Sequence, residues 1–152
     1  LDFHAPYHAA LQAELERVRN IHGTAILYDC HSIRSTIPFL FDGLLPDFNI
    51  GTNNGETCNK LIEDSVGNIC KNAPEYSTVL NARFKGGWTT RHYGQPHNNI
   101  HAIQMELAQR THLKEEALPF DYDKEKAAIL RPYLKDILIK LTELVEKKQV
   151  TS

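Results

Sequence analysis

The chain has 152 residues, which is enough for one domain with a hydrophobic core and too few for two domains of ordinary size. Hydrophobic residues make up 41%, charged residues 24%, and the net charge is -2, so neither a basic nucleic-acid-binding protein nor a membrane protein is indicated. The sequence shows no signal peptide, and three cysteines without metal-knuckle spacing favour a reducing, cytoplasmic setting over a disulfide framework. We therefore predict a single domain over residues 1–152, and the missing initiator methionine suggests a polypeptide that extends further upstream.

The first predicted element is an amphipathic helix that begins near Pro6 and ends at Gly23. His4 and His8 lie four residues apart and could share one face of this helix, as two zinc ligands would. Because no glutamate follows the first histidine as in the metalloprotease motif, a surface or substrate-facing role is the better interpretation of this pair.

A β-prone run over residues 24–29 ends in Asp29, Cys30, His31 and Ser32. Since open α/β enzymes bind ligands beyond the carboxyl ends of their strands, His31 is the candidate metal ligand. The alternative is a histidine that only hydrogen-bonds a neighbouring turn. Asp29 could orient a ligand, although we expect its side chain to point to the opposite face from that of His31.

The middle of the chain alternates loops with two short elements. Residues 32–54 are predicted as a long loop at a pocket mouth, Thr57 as the cap of a helix ending near Cys70, and residues 76–84 as a strand. The next segment is rich in glycine and contains several cationic and amide side chains, which are Asn81, Arg83, Lys85, Arg91 and His92. They favour an anionic small-molecule ligand, while RNA binding and structural ion pairs are the alternatives.

The last predicted strand covers residues 100–107 and has Glu106 at its end among apolar neighbours. A carboxylate in such surroundings is costly unless it is paired or used in proton transfer, so Glu106 is the candidate general base. The alternative is a salt bridge to Arg83, Lys85 or Arg91. Asp123 is predicted to cap a final helix that packs on the sheet, in which Pro132 either makes a kink or starts a second helix.

Seven blocks of the sequence carry a resemblance to a known family, and they are residues 6–8, 29–33, 40–43, 45–53, 80–87, 90–94 and 102–107. In this order they resemble the carboxyl-terminal portion of the N-formylglutamate amidohydrolase family. The most specific are Arg83-Phe84-Lys85-Gly86-Gly87 and Thr90-Arg91-His92-Tyr93-Gly94. Departures occur at Ala82, Trp88 and Gln95, where we expect glycine, tyrosine and arginine.

The resemblance implies a three-layer αβα fold with a mixed central sheet, related to the zinc carboxypeptidases (phosphorylase/hydrolase-like) and incomplete at its amino terminus. It also implies zinc-dependent hydrolysis of N-formyl-L-glutamate to formate and L-glutamate, a step in histidine degradation. His31 matches a zinc-binding histidine and Glu106 the water-activating glutamate, while the other zinc ligands are expected upstream of residue 1.

In this interpretation Arg83, Arg91 and Lys85 hold the substrate carboxylates, with Asn81 also at the substrate. His92 or His101 stabilises the oxyanion. Two other functions remain open at this point: another zinc amidase or peptidase of the same fold, and a non-catalytic anion-binding module.

Overall fold

The structure is a computed structural model that describes residues 2–151. It contains four strands and four α-helices, with 3-10 turns at Pro96–Asn98 and Gln109–Thr111. In chain order these elements are α1 (His4–His22), β1 (Ala25–Ile33), β2 (Phe48–Gly51), α2 (Lys60–Lys71), β3 (Thr78–Leu80), α3 (Trp88–Tyr93), β4 (Ile100–Ala108) and α4 (Lys124–Glu146).

The strands form one mixed sheet in the order β1-β4-β2-β3. β1 and β4 are parallel and paired along their full length, from Ala25 opposite Ile100 to Ile33 opposite Ala108. β2 is antiparallel to β4, and β3 is parallel to β2. The predicted mixed α/β sheet is therefore confirmed, and the carboxyl ends of β1 and β4 lie side by side.

Helices cover both faces of this sheet because successive strand side chains point to opposite sides. On one face, α2 and α4 pack on a core that includes Ile26, Ile103 and Met105. On the other face, α1 and α3 pack on a smaller cluster around Ala25 and Ile100. The result is three layers, helix, sheet and helix, as the resemblance implies.

The long helices follow the predicted signals at their ends. Gly23, with φ of 80°, ends α1 and donates its N–H to the carbonyl of Arg19 at 2.7 Å. Asp123 caps α4 by accepting two backbone N–H bonds. Pro132 lies inside that one continuous helix, so the prediction of a second helix starting there is wrong.

The cap predicted for α2 is also wrong. Asn59, rather than Thr57, caps this helix by accepting the N–H of Leu61 at 2.9 Å. The Thr57 hydroxyl instead donates to the carbonyl of Ala102 at 2.8 Å, which ties the preceding loop to β4.

The short elements differ most from the predictions. β1 continues to Ile33, so His31 lies within a strand rather than after it. The predicted loop over residues 32–54 contains β2, and α3 lies within the predicted glycine-rich loop. The predicted strand over residues 76–84 is limited to Thr78–Leu80, because Asn81 adopts a φ of 52° and turns the chain.

The loop between β3 and α3 crosses directly over the end of β2, at Gly51. A Cβ atom on Gly51 would lie 2.4 Å from the backbone nitrogen of Gly86 and 2.7 Å from the carbonyl carbon of Lys85. We expect Gly51→Ala to lower the free energy of unfolding by about 3 kcal/mol, since backbone must move against backbone. Urea unfolding monitored by circular dichroism measures this change.

Gly67 is the matched control for that substitution. It is buried in the middle of α2, and a Cβ there meets nothing within 4 Å. Gly67→Ala should raise the free energy of unfolding by roughly 0.5–1 kcal/mol, because alanine is the better helix former. Equal stability of the Gly51→Ala variant and the wild type would show that the crossing is not tight.

Candidate active site

Polar side chains from β1 and β4 meet on the face of the sheet that α1 and α3 cover. Asp29 is the register partner of Gln104, and His31 is the register partner of Glu106. Cross-strand partners share a face, and so do residues two apart on one strand. All four side chains therefore lie on one face, toward the carboxyl ends of β1 and β4.

Asp29 and His31 form a hydrogen-bonded pair. His31 Nε2 lies 2.8 Å from Asp29 Oδ1, and because a carboxylate only accepts, Nε2 is the donor of this hydrogen bond. The His31 side chain is 49% exposed, whereas that of Asp29 is 14% exposed. The expectation that these side chains point to opposite faces is wrong, because the strand period is two. A carboxylate that orients an imidazole is the usual arrangement behind a metal-binding histidine.

Thr90, on α3, connects this pair to β4. Its hydroxyl donates to Asp29 Oδ2 at 3.1 Å and lies 3.4 Å from Gln104 Oε1. Gln104 Oε1 also accepts the N–H of Gly87 at 2.6 Å, which holds the start of α3 against the sheet. Sequence reasoning missed Thr90 and Gln104. The sequence signal for Gln104 was its position two residues before Glu106, which places both side chains on the same face of the predicted strand.

Glu106 is 7% exposed, and its Oε2 accepts a long hydrogen bond of 3.4 Å from Gln104 Nε2. Burial raises the pKa of this carboxyl; the charge of Asp29 raises it too, while His31 and the Gln104 hydrogen bond oppose the shift. Within residues 2–151, Glu106 has no ion pair with Arg83, Lys85 or Arg91. The structure thus contains a buried carboxylate with a raised pKa rather than the alternative salt bridge.

Asn49 lies on β2 directly across from Glu106, since β2 and β1 flank β4 on opposite sides. Its side-chain N–H groups donate to the backbone carbonyls of Glu106 at 3.1 Å and Pro46 at 2.7 Å. Asn49 is 1% exposed, and its Oδ1 has no hydrogen-bond partner in the described part of the chain. The end of β2 is thereby joined to the strand that carries Glu106.

The predicted cationic residues lie in the loop after β3 and on α3. Arg83, Lys85 and Arg91 are exposed, and none of the three has an ion pair with a carboxylate among the residues described. Arg91 Nη1 donates to the carbonyl of Gly86 at 2.5 Å. The alternative of structural ion pairs therefore does not describe these three side chains, whose charges face solvent.

Asn81 and His92 lie apart from the Asp29, His31 and Glu106 group. Asn81 Oδ1 accepts the N–H of Thr52 at 2.8 Å, and its Nδ2 donates to the Thr52 hydroxyl at 2.8 Å and lies 3.4 Å from Glu63 Oε2. Asn81 therefore holds the loop at Thr52 against the end of β3. Since β3 runs antiparallel to β4, its carboxyl end also points away from that of β4.

His92 stacks on Trp88 with 4.1 Å between the ring centroids, on the exposed side of α3. Thr90 faces the sheet, and residues two apart on a helix point in different directions, so His92 points away from Asp29 and Gln104. His8, from α1, adds its ring to this aromatic cluster, 4.8 Å from Trp88 and bonded to the Tyr93 hydroxyl at 2.6 Å. The oxyanion role predicted for His92 has no support from this placement.

His101 is wrong as an oxyanion candidate, because it points to the opposite face of β4 from Glu106. It is 1% exposed, and its Nε2 lies 2.8 Å from the carbonyl of Val150. Its Nδ1 accepts the N–H of Asn59 at 3.3 Å. Burial lowers the pKa of His101, as expected for an imidazole that holds backbone groups together.

A zinc ion takes three or four protein ligands, and the donor set can be tested against that requirement. Over residues 2–151, no group of three His, Cys, Asp or Glu side chains is placed to hold a metal ion. His31, exposed and oriented by Asp29, fits as one ligand, but these residues do not fit a complete zinc site. His4 and His8 lie beside Trp88, with 6.5 Å and 4.8 Å between their ring centroids and that of Trp88.

Comparisons with known proteins agree on one family. Residues 1–113 match the family model described as N-formylglutamate amidohydrolase. Over 133 residues, the chain is 52% identical to N-formylglutamate deformylase of Pseudomonas putida and 49% identical to that of Pseudomonas aeruginosa. These matches cover 88% of this chain but only 49% and 50% of the two relatives, so the chain spans about half their length.

A solved structure shows the same fold. The crystal structure of N-formylglutamate amidohydrolase from Ralstonia eutropha JMP134 superposes with a TM-score of 0.78 at 22% identity. The superposition covers 95% of this chain and 51% of that one. The described part of this chain contains no helix that is long and apolar enough to cross a membrane.

Proposed function

Because this chain belongs to the N-formylglutamate amidohydrolase family, we propose that it carries the water-activating part of a site that hydrolyses N-formyl-L-glutamate to formate and L-glutamate. The observation that supports this most directly is Glu106, a buried carboxylate with a raised pKa and no cationic partner in the described chain, beside the Asp29 and His31 pair. A carboxylate whose pKa is raised by burial is a stronger base than a free one, which suits proton transfer.

Glu106 is the general base of the proposed reaction. It takes a proton from the attacking water and returns it to the nitrogen of glutamate as the amide bond breaks. Such a transfer typically contributes about 10²–10⁴-fold to the rate. The hydrogen bond from Gln104 and the buried surroundings keep the carboxylate in place for both transfers.

His31 is the proposed zinc ligand of this chain, and the remaining ligands come from outside the described residues. A bound zinc ion would polarise the formyl oxygen and lower the pKa of its bound water. Asp29 holds the His31 ring in one orientation and one tautomer, and Thr90 holds Asp29. The His31 nitrogen that would hold an ion is Nδ1, because Nε2 is bonded to Asp29.

The two carboxylates of the substrate are assigned to Arg83 and Arg91, with Lys85 in support. A guanidinium binds a carboxylate through two parallel hydrogen bonds, and these side chains have no competing carboxylate among residues 2–151. The place of the reaction in histidine degradation, in the cytoplasm, is part of the same proposal.

Formate release from N-formyl-L-glutamate tests this function. The chain is assayed with zinc, alone and together with a second polypeptide that supplies the part of the Pseudomonas putida relative outside the match. We expect release that a chelator abolishes and that requires the second polypeptide. N-acetyl-L-glutamate and N-formyl-L-leucine in the same assay identify a different zinc amidase or peptidase if they are hydrolysed better.

A non-catalytic anion-binding module is the second candidate, favoured by the exposed cations of the β3–α3 loop and the incomplete donor set. Binding of L-glutamate to the chain in the presence of chelator, without formate release under either condition, would support that function over hydrolysis. Calorimetry with Arg83→Ala and Arg91→Ala variants would then locate the bound anion.

A further inference from the structure

The loop between β2 and α2 contains the only Asn-Gly pair of the sequence, Asn54-Gly55. Asn53, Asn54 and Gly55 all have left-handed backbone conformations, with φ of 48°, 58° and 90°. Asparagine and glycine are the residues that adopt this conformation at the least cost. The turn that follows β2 therefore favours residue types that place an asparagine directly before a glycine.

An Asn-Gly pair can deamidate, and the glycine leaves the reacting backbone nitrogen free of a neighbouring side chain. The nitrogen of Gly55 attacks Cγ of Asn54, the new N–Cγ bond closes a succinimide ring, and Nδ2 leaves as ammonia with the proton from Gly55. Water then opens the ring at Cγ, which gives aspartate, or at the main-chain carbonyl, which gives isoaspartate. Solvent water is the only co-reactant, and both residues are exposed to it.

In the folded chain, Thr52 holds the reacting nitrogen. The Gly55 N–H donates to both the carbonyl oxygen and the hydroxyl oxygen of Thr52, at 3.0 Å each. The Thr52 hydroxyl in turn donates to Glu63 and accepts a hydrogen bond from Asn81 Nδ2 at 2.8 Å. Thr52 and Glu63 are buried, so moving this hydroxyl away leaves buried polar atoms unpaired. The Gly55 nitrogen must turn toward Cγ and lose its proton to react, and both of its hydrogen bonds oppose this.

We propose that Asn54 is a deamidation site of this protein and that Thr52 controls the rate by holding the Gly55 nitrogen. Reaction requires the loop to open, so the observed rate is the rate in an unfolded chain multiplied by the fraction of time that the loop is open. Thr52 thereby makes the modification slow in the folded chain and fast in any state that releases this loop.

The modification alters the contact between this loop and the segment that carries Arg83 and Lys85. The N–H of Asn53 donates to the carbonyl of Lys85 at 2.6 Å. Isoaspartate at position 54 adds a carbon atom to the main chain of the turn, so the hydrogen bonds of Asn53 and Gly55 no longer fit together. Both products also add a negative charge to the loop. Formation of isoaspartate therefore loosens the attachment of the cationic segment to the end of β2.

Peptide mapping by mass spectrometry tests the site on the intact 152-residue chain. The chain is incubated in mildly alkaline buffer with and without urea, and conversion at Asn54 is followed over time. We expect conversion to aspartate and isoaspartate in urea, and a rate lower by on the order of tenfold or more in the folded chain. Asn54→Gln, which could cyclise only through a larger ring, should show no conversion at this position.

Two substitutions of Thr52 isolate the role of its hydroxyl. Thr52→Ser keeps the hydroxyl and should leave the rate in the folded chain close to that of the wild type. Thr52→Val removes the hydroxyl and should raise that rate by on the order of tenfold. Because Thr52→Val also takes a donor from Glu63, Ile137→Val in the buried face of α4 is the control for lost global stability. It should leave the rate at Asn54 unchanged.

Asn81→Gly is a second variant, used if circular dichroism shows that Thr52→Val does not fold. Glycine keeps the positive φ of position 81 while it removes the amide that donates to the Thr52 hydroxyl, so the rate at Asn54 should again rise.

Three results would overturn the inference. No conversion of Asn54 in urea would mean that the pair is not a deamidation site. Equal rates in urea and in buffer would mean that the fold does not hold the Gly55 nitrogen. Equal acceleration by Ile137→Val and by the Thr52 or Asn81 variant would mean that only global unfolding exposes the pair.

Discussion

Replacing Glu106 with glutamine is expected to abolish formate release, with a loss of about 10²–10⁴-fold or more, while zinc stays bound. Glutamine has nearly the same shape and can still accept the hydrogen bond from Gln104, but it cannot take a proton from water. Formate release and zinc content are both measured. The sample is whichever one releases formate, the chain alone or the chain mixed with the second polypeptide. Unchanged release would remove Glu106 from the mechanism.

The same variant should be more stable than the wild type in the presence of chelator. Burial raises the pKa of Glu106 above its unfolded value, so the folded chain binds the proton more tightly. The stability that protonated Glu106 contributes to the wild type is therefore lost as the pH rises from the pKa of Glu106 in the unfolded chain to its pKa in the folded chain. The melting temperature of Glu106→Gln should exceed that of the wild type by a margin that grows over this window. A constant margin would contradict the shift.

His31→Ala should remove most of the bound zinc, lowering the affinity by 100-fold or more, because a ligand is lost outright. Asp29→Asn should have a smaller effect, about 10–100-fold, since it only disturbs the orientation and tautomer of the His31 ring. Zinc affinity is measured by competition with a chromophoric chelator, on the chain in complex with the polypeptide that supplies the rest of the relative.

His97→Ala is the control for these metal measurements, because His97 is an exposed histidine in the turn Pro96–Asn98, outside the Asp29 and His31 group. Its removal should leave zinc affinity unchanged. Full zinc occupancy in His31→Ala would place the ligand elsewhere, whereas equal losses in the His31 and His97 variants would indicate adventitious binding to surface imidazoles.

The family resemblance was predicted correctly from short blocks of sequence, because each block can be read without knowing the rest of the fold. The block Thr90-Arg91-His92-Tyr93-Gly94 combines buried Thr90 and Tyr93 with exposed Arg91 and His92 within five residues. It includes Thr90, which joins α3 to the sheet at Asp29 of β1. Its role was missed because a threonine in a predicted loop gives no sign of the strands it will contact.

Residues whose type makes them candidates for the site are not always placed near one another by the fold. Asn81 follows a β-prone run, but β3 is antiparallel to β4, so the carboxyl end of β3 points away from Glu106. The direction of a strand in a mixed sheet depends on the connections and on its neighbours, neither of which is encoded in the strand itself. His92 was likewise separated from the group by a short helix that periodicity did not indicate.

The sequence by itself determined the long elements α1, β1, β4 and α4, because periodicity over many residues and strong end signals such as Gly23 and Asp123 act locally. It also determined which residue types could carry chemistry, His31 and Glu106 among them. Only the tertiary structure decided β2, α3, the bounds of β3 and the end of β1, since a few residues gain too little locally to hold a conformation without neighbours. The parallel register of β1 and β4 likewise exists only in the folded sheet, and it places His31 opposite Glu106.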